Sequence, residues 1–250
     1  MLSYQRPLDG IVGGSRSTMA EPTRQFPLHR RSFFSRLLAG AAAFGIGAGT
    51  AEAQPGATPG FRPVLHSEDD WYDTLPGKHR FFLDAVSPRG AGEAIAFATN
   101  FYSANRSGYN LEDGDLAIVI CLRHAATPFA FTDAMWAKYG TPMAEQIKFS
   151  DPKTNTAPTI NAYNTTGYGA ALPNRDIALD ALAKRGVHYA VCGLSTRRHA
   201  SIIAARIGGT TDAVYKELSS NTVPNSHVVS AGIVAVNRAQ ERGYTFAYVG

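Results

Sequence analysis

Cysteine is scarce in this chain. Cys121 and Cys192 are the two in 250 residues, which excludes a disulfide-built scaffold. Charge is sparse as well, with Asp, Glu, Lys and Arg making 18% of the residues. The formal net charge is +4. Residues 1–53 contribute six arginines against Asp9, Glu21 and Glu52. That surplus of three leaves about one positive charge on the remaining 197 residues. The pI near 9.1 is therefore partly a property of the N-terminal segment, and it does not point to nucleic acid, which needs a basic face. No G-x-S-x-G, no G-x-x-x-x-G-K and no H-E-x-x-H occurs, so the sequence marks of several hydrolase and nucleotide-dependent classes are missing. Beyond residue 53 there is no internal repeat, no low-complexity tract and no apolar run long enough for a stable membrane span.

The N-terminal segment carries a clear pattern of its own. It reads His29-Arg30-Arg31-Ser32-Phe33-Phe34, then a mild Gly/Ala-rich apolar run from Leu37, then Ala51-Glu52-Ala53. An arginine pair, two large apolar residues and an A-x-A end resemble a twin-arginine export signal. The run is short and glycine-rich for a membrane span, although an uncleaved anchor is the other reading. The resemblance implies passage through the twin-arginine translocase and a periplasmic or other extracytoplasmic location. Residues 1–53 would then be a signal peptide and the mature chain would begin near Gln54, with Met19 as a second candidate start.

Residues 54–78 are rich in Pro, Gly and polar residues and read as an extended arm, with Trp71 and Tyr72 as anchors. From residue 79 or 80 short apolar runs alternate with helical stretches. Strands are expected at 80–86, 116–122, 187–192, 227–229 and 244–249. Helices are expected at 92–105, 131–139, 174–185, 195–207 and 232–242, with a short one from Asp212. Residues 140–172 read as a long irregular insertion, rich in Asn, Thr, Pro and Gly, of the kind that serves as a lid or an interface arm. Pro142, Phe149, Pro152, Pro158, Ile160 and Tyr163 in it offer apolar surface for a neighbouring subunit. Alternating strands and helices predict a three-layer α/β/α domain over 79–250, with a mainly parallel five-stranded sheet of the flavodoxin-like kind. Reactive groups in such sheets lie beyond the carboxyl ends of the strands.

Cys192 is the leading candidate at that edge. It ends a strand, precedes Gly193 and opens a helix carrying Arg197, Arg198 and His199. A helix N-terminus and nearby cations favour a thiolate, the nucleophilic form. A small buried strand-end residue is the plainer reading of the same position. Cys121 ends the second strand and is a candidate redox partner if the two cysteines come close enough to bond; otherwise it is an apolar core residue. Arg123 and His124 follow it and are candidates for binding an anion or tuning a thiolate. A metal site from Cys121, His124, Cys192 and His199 has suitable ligand types but no dedicated ligand spacing, so no metal and no cofactor is expected. His66, His79, His188 and His227 stand in no motif and read as structural.

Three segments resemble the DsrE/DsrF-like family. They are Gly186-Val187-His188-Tyr189-Ala190-Val191-Cys192-Gly193, the stretch from Val119 to Ala130, and the closing stretches from Val228 to Val234 and Ala239 to Tyr244. The resemblance covers roughly residues 80–250. It implies a sulfur-carrier or persulfide-relay protein in which Cys192 accepts sulfur and passes it on; export is implied by the N-terminal segment and not by this resemblance, whose family is mostly cytoplasmic. It also implies a homo-oligomer, trimeric or hexameric, together with sulfur donor and acceptor proteins. A non-catalytic binding or assembly module on the same fold is the rival reading, and the exposure of Cys192 discriminates between them.

Overall fold

The computed structural model describes residues 62–250. The export signal read at 1–53 and the first part of the arm, 54–61, lie outside the described residues. The chain runs through α1 (Trp71–Thr74), β1 (His79–Ala85), α2 (Pro88–Tyr109), β2 (Leu116–Leu122), α3 (Asp133–Ile147), α4 (Leu179–Lys184), β3 (His188–Cys192), α5 (Gly193–Ile207), α6 (Thr211–Ser220), β4 (Ser226–Val229), α7 (Gly232–Glu241) and β5 (Thr245–Val249). All five strands are parallel, in the order β4-β3-β2-β1-β5.

That order dictates the layers. The chain steps in one direction from β1 to β4, so right-handed crossovers put α2 to α6 on one face. It then returns past β1 to reach β5, which puts α7 on the other. The two apolar clusters follow this split. Leu83, Ile118, Ile120, Tyr189 and Val191 pack with Trp136, Leu182, Ile203 and Leu218 on the thick side. Phe82, Val119, Cys121 and Ala190 pack with Ala235, Val236 and Ala239 of α7 and with Tyr72 and Leu75 on the thin side. β2 is covered on both faces, and all seven of its residues are buried, which is why it reads as an unbroken apolar run. The result is the expected three-layer α/β/α architecture with a five-stranded parallel sheet. Among the described residues no helix is long and apolar enough to cross a membrane.

The arm differs from the extended reading. Residues 62–66 run outside regular structure, but Ser67–Asp69 form a 3-10 turn and α1 follows. One helix covers the thin face incompletely, and the arm docks where cover is lacking. The Tyr244 hydroxyl donates to the Tyr72 carbonyl at 2.7 Å. Trp71 stacks on His227 with ring centres 3.9 Å apart, and His227 in turn hydrogen-bonds His188 at 2.9 Å. The Arg242 guanidinium reaches Asp73 at 2.6 Å, the His66 carbonyl at 2.8 Å and Asp70 at 3.1 Å.

The insertion also begins later than expected. α3 continues through Gly140 and Pro142 to Ile147 because Met135, Trp136, Tyr139, Met143, Ala144 and Ile147 keep one buried face. Gly140 lies against the Pro158 carbonyl with no room for a side chain. The irregular segment after Lys148 folds onto its own chain. Asn161 donates to the carbonyls of Phe129 and Phe131 at 2.7 and 2.9 Å, and Tyr163 is buried against Phe129. Of the apolar residues offered for a subunit contact, only Pro152 and Ile160 are exposed. The helix expected at 174–185 is confined to Leu179–Lys184. Arg175 and Asp176 both take left-handed backbone, with φ of 51° and 63°, which no helix accommodates.

Candidate functional site

The parallel sheet brings Cys121, Arg123, His124, Cys192 and Ser230 to one edge, beyond the carboxyl ends of β2, β3 and β4. Cys192 is the N-cap of α5, and its sulfur accepts the Ser195 N–H at 3.4 Å. Thr196 Oγ1 donates back to the Cys192 carbonyl at 2.9 Å. The next residue has to be glycine. A Cβ on Gly193 would stand 2.7 Å from the Val229 carbonyl oxygen and 3.3 Å from that of Ser230. The end of β4 therefore packs against the residue after the cysteine, and Cys192 itself is 6% exposed.

Cys121 and Cys192 point to the same face from neighbouring strands, but they are offset. Cys121 is in register with Ala190, two residues before Cys192. Two residues along and one strand across separate the Cα atoms by roughly 8 Å, beyond the ~7 Å a disulfide spans without backbone movement. Both thiols are free. Burial pushes the Cys121 thiol well above its ordinary value, and the nearby Asp84 adds to the effect.

The arginines take separate roles. Arg123 forks onto Asp84, Nε to Oδ1 at 2.6 Å and Nη2 to Oδ2 at 2.8 Å. Asp84 is 1% exposed, so Nε and Nη2 of the guanidinium are committed to a buried carboxylate. Gly232 makes the passage for this side chain, since a Cβ there would stand 2.6 Å from Arg123 Cβ. Arg197 turns to α6, bonding Asp212 at 2.9 Å and lying over the Tyr215 ring. Arg198 is exposed and makes no ion pair among the described residues.

Arg198 instead lines a cleft of about 130 Å3, together with His124, Ala125, Gln146, Ile147, Ser195 and His199. The cleft sits between the turn after β2, the last turn of α3 and the first turns of α5. His124 enters it in left-handed backbone, φ 55°, an uncommon conformation for a residue with a side chain. Its N–H donates to Ser195 Oγ at 3.0 Å. Ser195 thus faces both ways, with its amide on the Cys192 sulfur and its hydroxyl on the cleft. His199 is 3% exposed. Its Nε2 lies 3.5 Å from the His124 carbonyl oxygen, and its Nδ1 has no partner. Gln146 Oε1 is likewise buried without a partner.

Burial pushes His199 down to about 4, against the weaker opposing pull of the His124 carbonyl. The native state therefore keeps this ring neutral across an interval in which the unfolded chain, with an ordinary histidine near 6.5, takes up a proton. Stability contributed by neutral His199 is present above pH 6.5 and is lost as pH falls toward 4. Urea unfolding at pH 7 and pH 5 should show a loss of about 2 kcal/mol from this ring alone. The His199→Gln protein should lack that increment of the pH dependence.

Ser195, Gln146 and Asp84 were not singled out from the sequence. Asp84 carried a usable signal, a lone carboxylate inside the apolar run Phe81 to Ala85. Gln146 carried none, because it comes into place only through the full length of α3. Among the described residues no group of three or more His, Cys, Asp or Glu side chains is arranged to hold a metal ion. No family model, no curated protein and no solved structure matches this chain.

Proposed function

We propose that this protein is an exported sulfur carrier of the DsrE/DsrF-like type, with Cys192 as the acceptor. The observation that carries the reading is that the Cys192 sulfur itself caps α5 and takes the Ser195 N–H. A donor from a helix N-terminus suits an anionic sulfur. The step consistent with this position is transfer of sulfane sulfur from a persulfide, R–S–SH. The Cys192 thiolate attacks the outer sulfur, the S–S bond of the donor breaks, R–SH leaves with the donor's proton, and the anion Cys192–S–S⁻ forms with no net oxidation. An anionic terminal sulfur formed there has the same first-turn amides within its neighbourhood. Because Cys192 is 6% exposed, a local opening at the end of β3 is needed for a donor to enter. Intact mass after treatment with a low-molecular-weight persulfide should rise by one sulfur atom in the wild-type protein and remain unchanged in Cys192→Ser.

The second reading is a non-catalytic ligand-binding module. It is favoured by the near-complete burial of Cys192 and by a cleft whose walls contain no cysteine. A folded wild-type protein that takes up no sulfur at any donor concentration would select it. Homo-oligomerisation is retained from the family resemblance, with the edge of β5, unpaired among the described residues, and its exposed Phe246 and Tyr248 as one candidate surface. The extracytoplasmic location rests on Arg30 and Arg31. Changing both to Lys should leave the precursor in the cytoplasm, and normal export of that variant would remove the location from the account.

A further inference from the structure

We infer that β5 is the interface of a twofold dimer, in which a second copy of this chain extends the sheet antiparallel about Ala247. This gives a geometry to the homo-oligomer proposed above and does not depend on the sulfur reading. β5 pairs with β1 and is unpaired on its outer side among the described residues. The Val249 carbonyl accepts the Val86 N–H at 3.2 Å, so Val249 turns its peptide groups toward β1. Alternation along the strand turns those of Thr245 and Ala247 the same way and those of Phe246 and Tyr248 outward. Native sheet edges are commonly blunted by lysine, proline or a bulge. Thr245-Phe246-Ala247-Tyr248-Val249 has no charge and no proline, and its register with β1 is unbroken. The opposite edge differs: β4 has four residues, and Trp71 stacks on its His227.

The side chains decide what this edge takes. Phe246 and Tyr248 are in register with Phe82 and Asp84, and Phe82 packs in the thin-side cluster. Both aromatics therefore project on the α7 side, where they are 41% and 62% exposed. On the other face Phe101 of α2 packs on Phe81, the β1 partner of Thr245, with ring centres 4.9 Å apart. Phe97, one turn earlier on the same side of α2, is exposed. A twofold axis through Ala247 sets Phe246 of each copy opposite Tyr248 of the other. These are the residues whose peptide groups point outward, so each such pair exchanges two main-chain bonds. Each is also an aromatic pair, of the kind that stabilises neighbouring strands. Within the chain itself, residues 54–61 are the rival occupant. They read Gln-Pro-Gly-Ala-Thr-Pro-Gly-Phe, and prolines and glycines at that density suit a strand poorly.

Analytical ultracentrifugation of the full chain at micromolar concentration should give a dimer of twice 26.8 kDa, or a hexamer built from such dimers. Phe246→Lys combined with Tyr248→Lys sets like charges opposite one another and should weaken association across the axis about tenfold or more. Phe246→Lys combined with Tyr248→Glu sets opposite charges face to face in the same register and should restore it. Circular dichroism and thermal melting check that both variants are folded. The register is read by Ala247→Cys. Ala247 faces its own copy in a non-hydrogen-bonded pair, with Cα atoms about 4.5 Å apart, within reach of a disulfide. Diamide should oxidise this variant to a covalent dimer and leave Thr245→Cys, which faces Val249 of the other copy, uncrosslinked. Cys192→Ser should dimerise as the wild type does, so that a failed sulfur assay and a failed association assay report on different statements. A trimer would keep the homo-oligomer and overturn this interface. So would equal association of the two charge variants, or a folded Ala247→Cys protein that gives no covalent dimer. A monomer in which residues 54–61 resist proteolysis would also overturn it and give the edge to the chain's own N-terminal segment.

Discussion

Replacing Arg123 by Ala should destabilise the protein by roughly 3–5 kcal/mol, the loss typical when one partner of a buried ion pair is removed. The reason lies with the partner that stays. Asp84 is 1% exposed in the middle of the sheet, its neighbours across the ladder are Cys121 and Tyr248, and both of its oxygens are taken by the Arg123 fork. Without the guanidinium the carboxylate is left charged in an apolar layer or has to be protonated. Arg123→Lys should recover only part of the loss, because an ammonium cannot make two parallel bonds. Adding Asp84→Asn to Arg123→Ala should recover more, because it removes the stranded charge. Urea unfolding near pH 7 measures all three. A loss below about 1 kcal/mol for Arg123→Ala, the size of a surface pair, would mean that water reaches Asp84. The pairing also bears on function. The fork commits Nε and Nη2 of Arg123 to the carboxylate, whereas Arg198 makes no ion pair among the described residues.

The second large effect concerns the contrast between the cysteines. In the native protein iodoacetamide should modify Cys192 and spare Cys121, and after unfolding it should modify both. Cys121 is fully buried under α7 in the central strand, and burial raises its thiol well above the ordinary value. It reacts only through an opening close to global unfolding, so its rate should fall about a thousandfold or more below that of a free thiol. Cys192 lies at the end of β3 and is 6% exposed, and the next residue, Gly193, packs against the end of β4. A local opening is enough to expose it. Prior alkylation should then block sulfur loading completely. Cys121 reacting first would place the reactive thiol in β2 and undo the proposed carrier role.

Much of the sheet was legible in the sequence. β2 reads as a continuous apolar run because both of its faces are covered, and the β3–Gly193–α5 junction is marked by an apolar run ending in Cys-Gly. Long-range choices were not legible. The strand order depends on crossovers that leave no local pattern, and it is the order that decides that Cys121 and Cys192 are neighbours offset by two residues. α3 was cut short at Gly140 because Gly140 and Pro142 are helix breakers in isolation. The buried face from Met135 to Ile147 overrides that propensity, and with it comes Gln146 in the cleft wall. Arg123 was read from its position after a strand as a ligand-binding cation. Its actual partner lies 39 residues away. The arm was read from its Pro/Gly content, whereas its docking depends on α7 leaving part of the thin face uncovered.

The central claim is that Cys192 accepts sulfur in the folded protein. The direct measurement is site-resolved mass spectrometry of native protein treated with a low-molecular-weight persulfide and then trapped with an alkylating agent. The account predicts a peptide containing Cys192 that carries one additional sulfur atom and a Cys121 peptide that carries none. Loading on Cys121, or a folded protein in which Cys192 remains a plain thiol at every donor concentration, would contradict it.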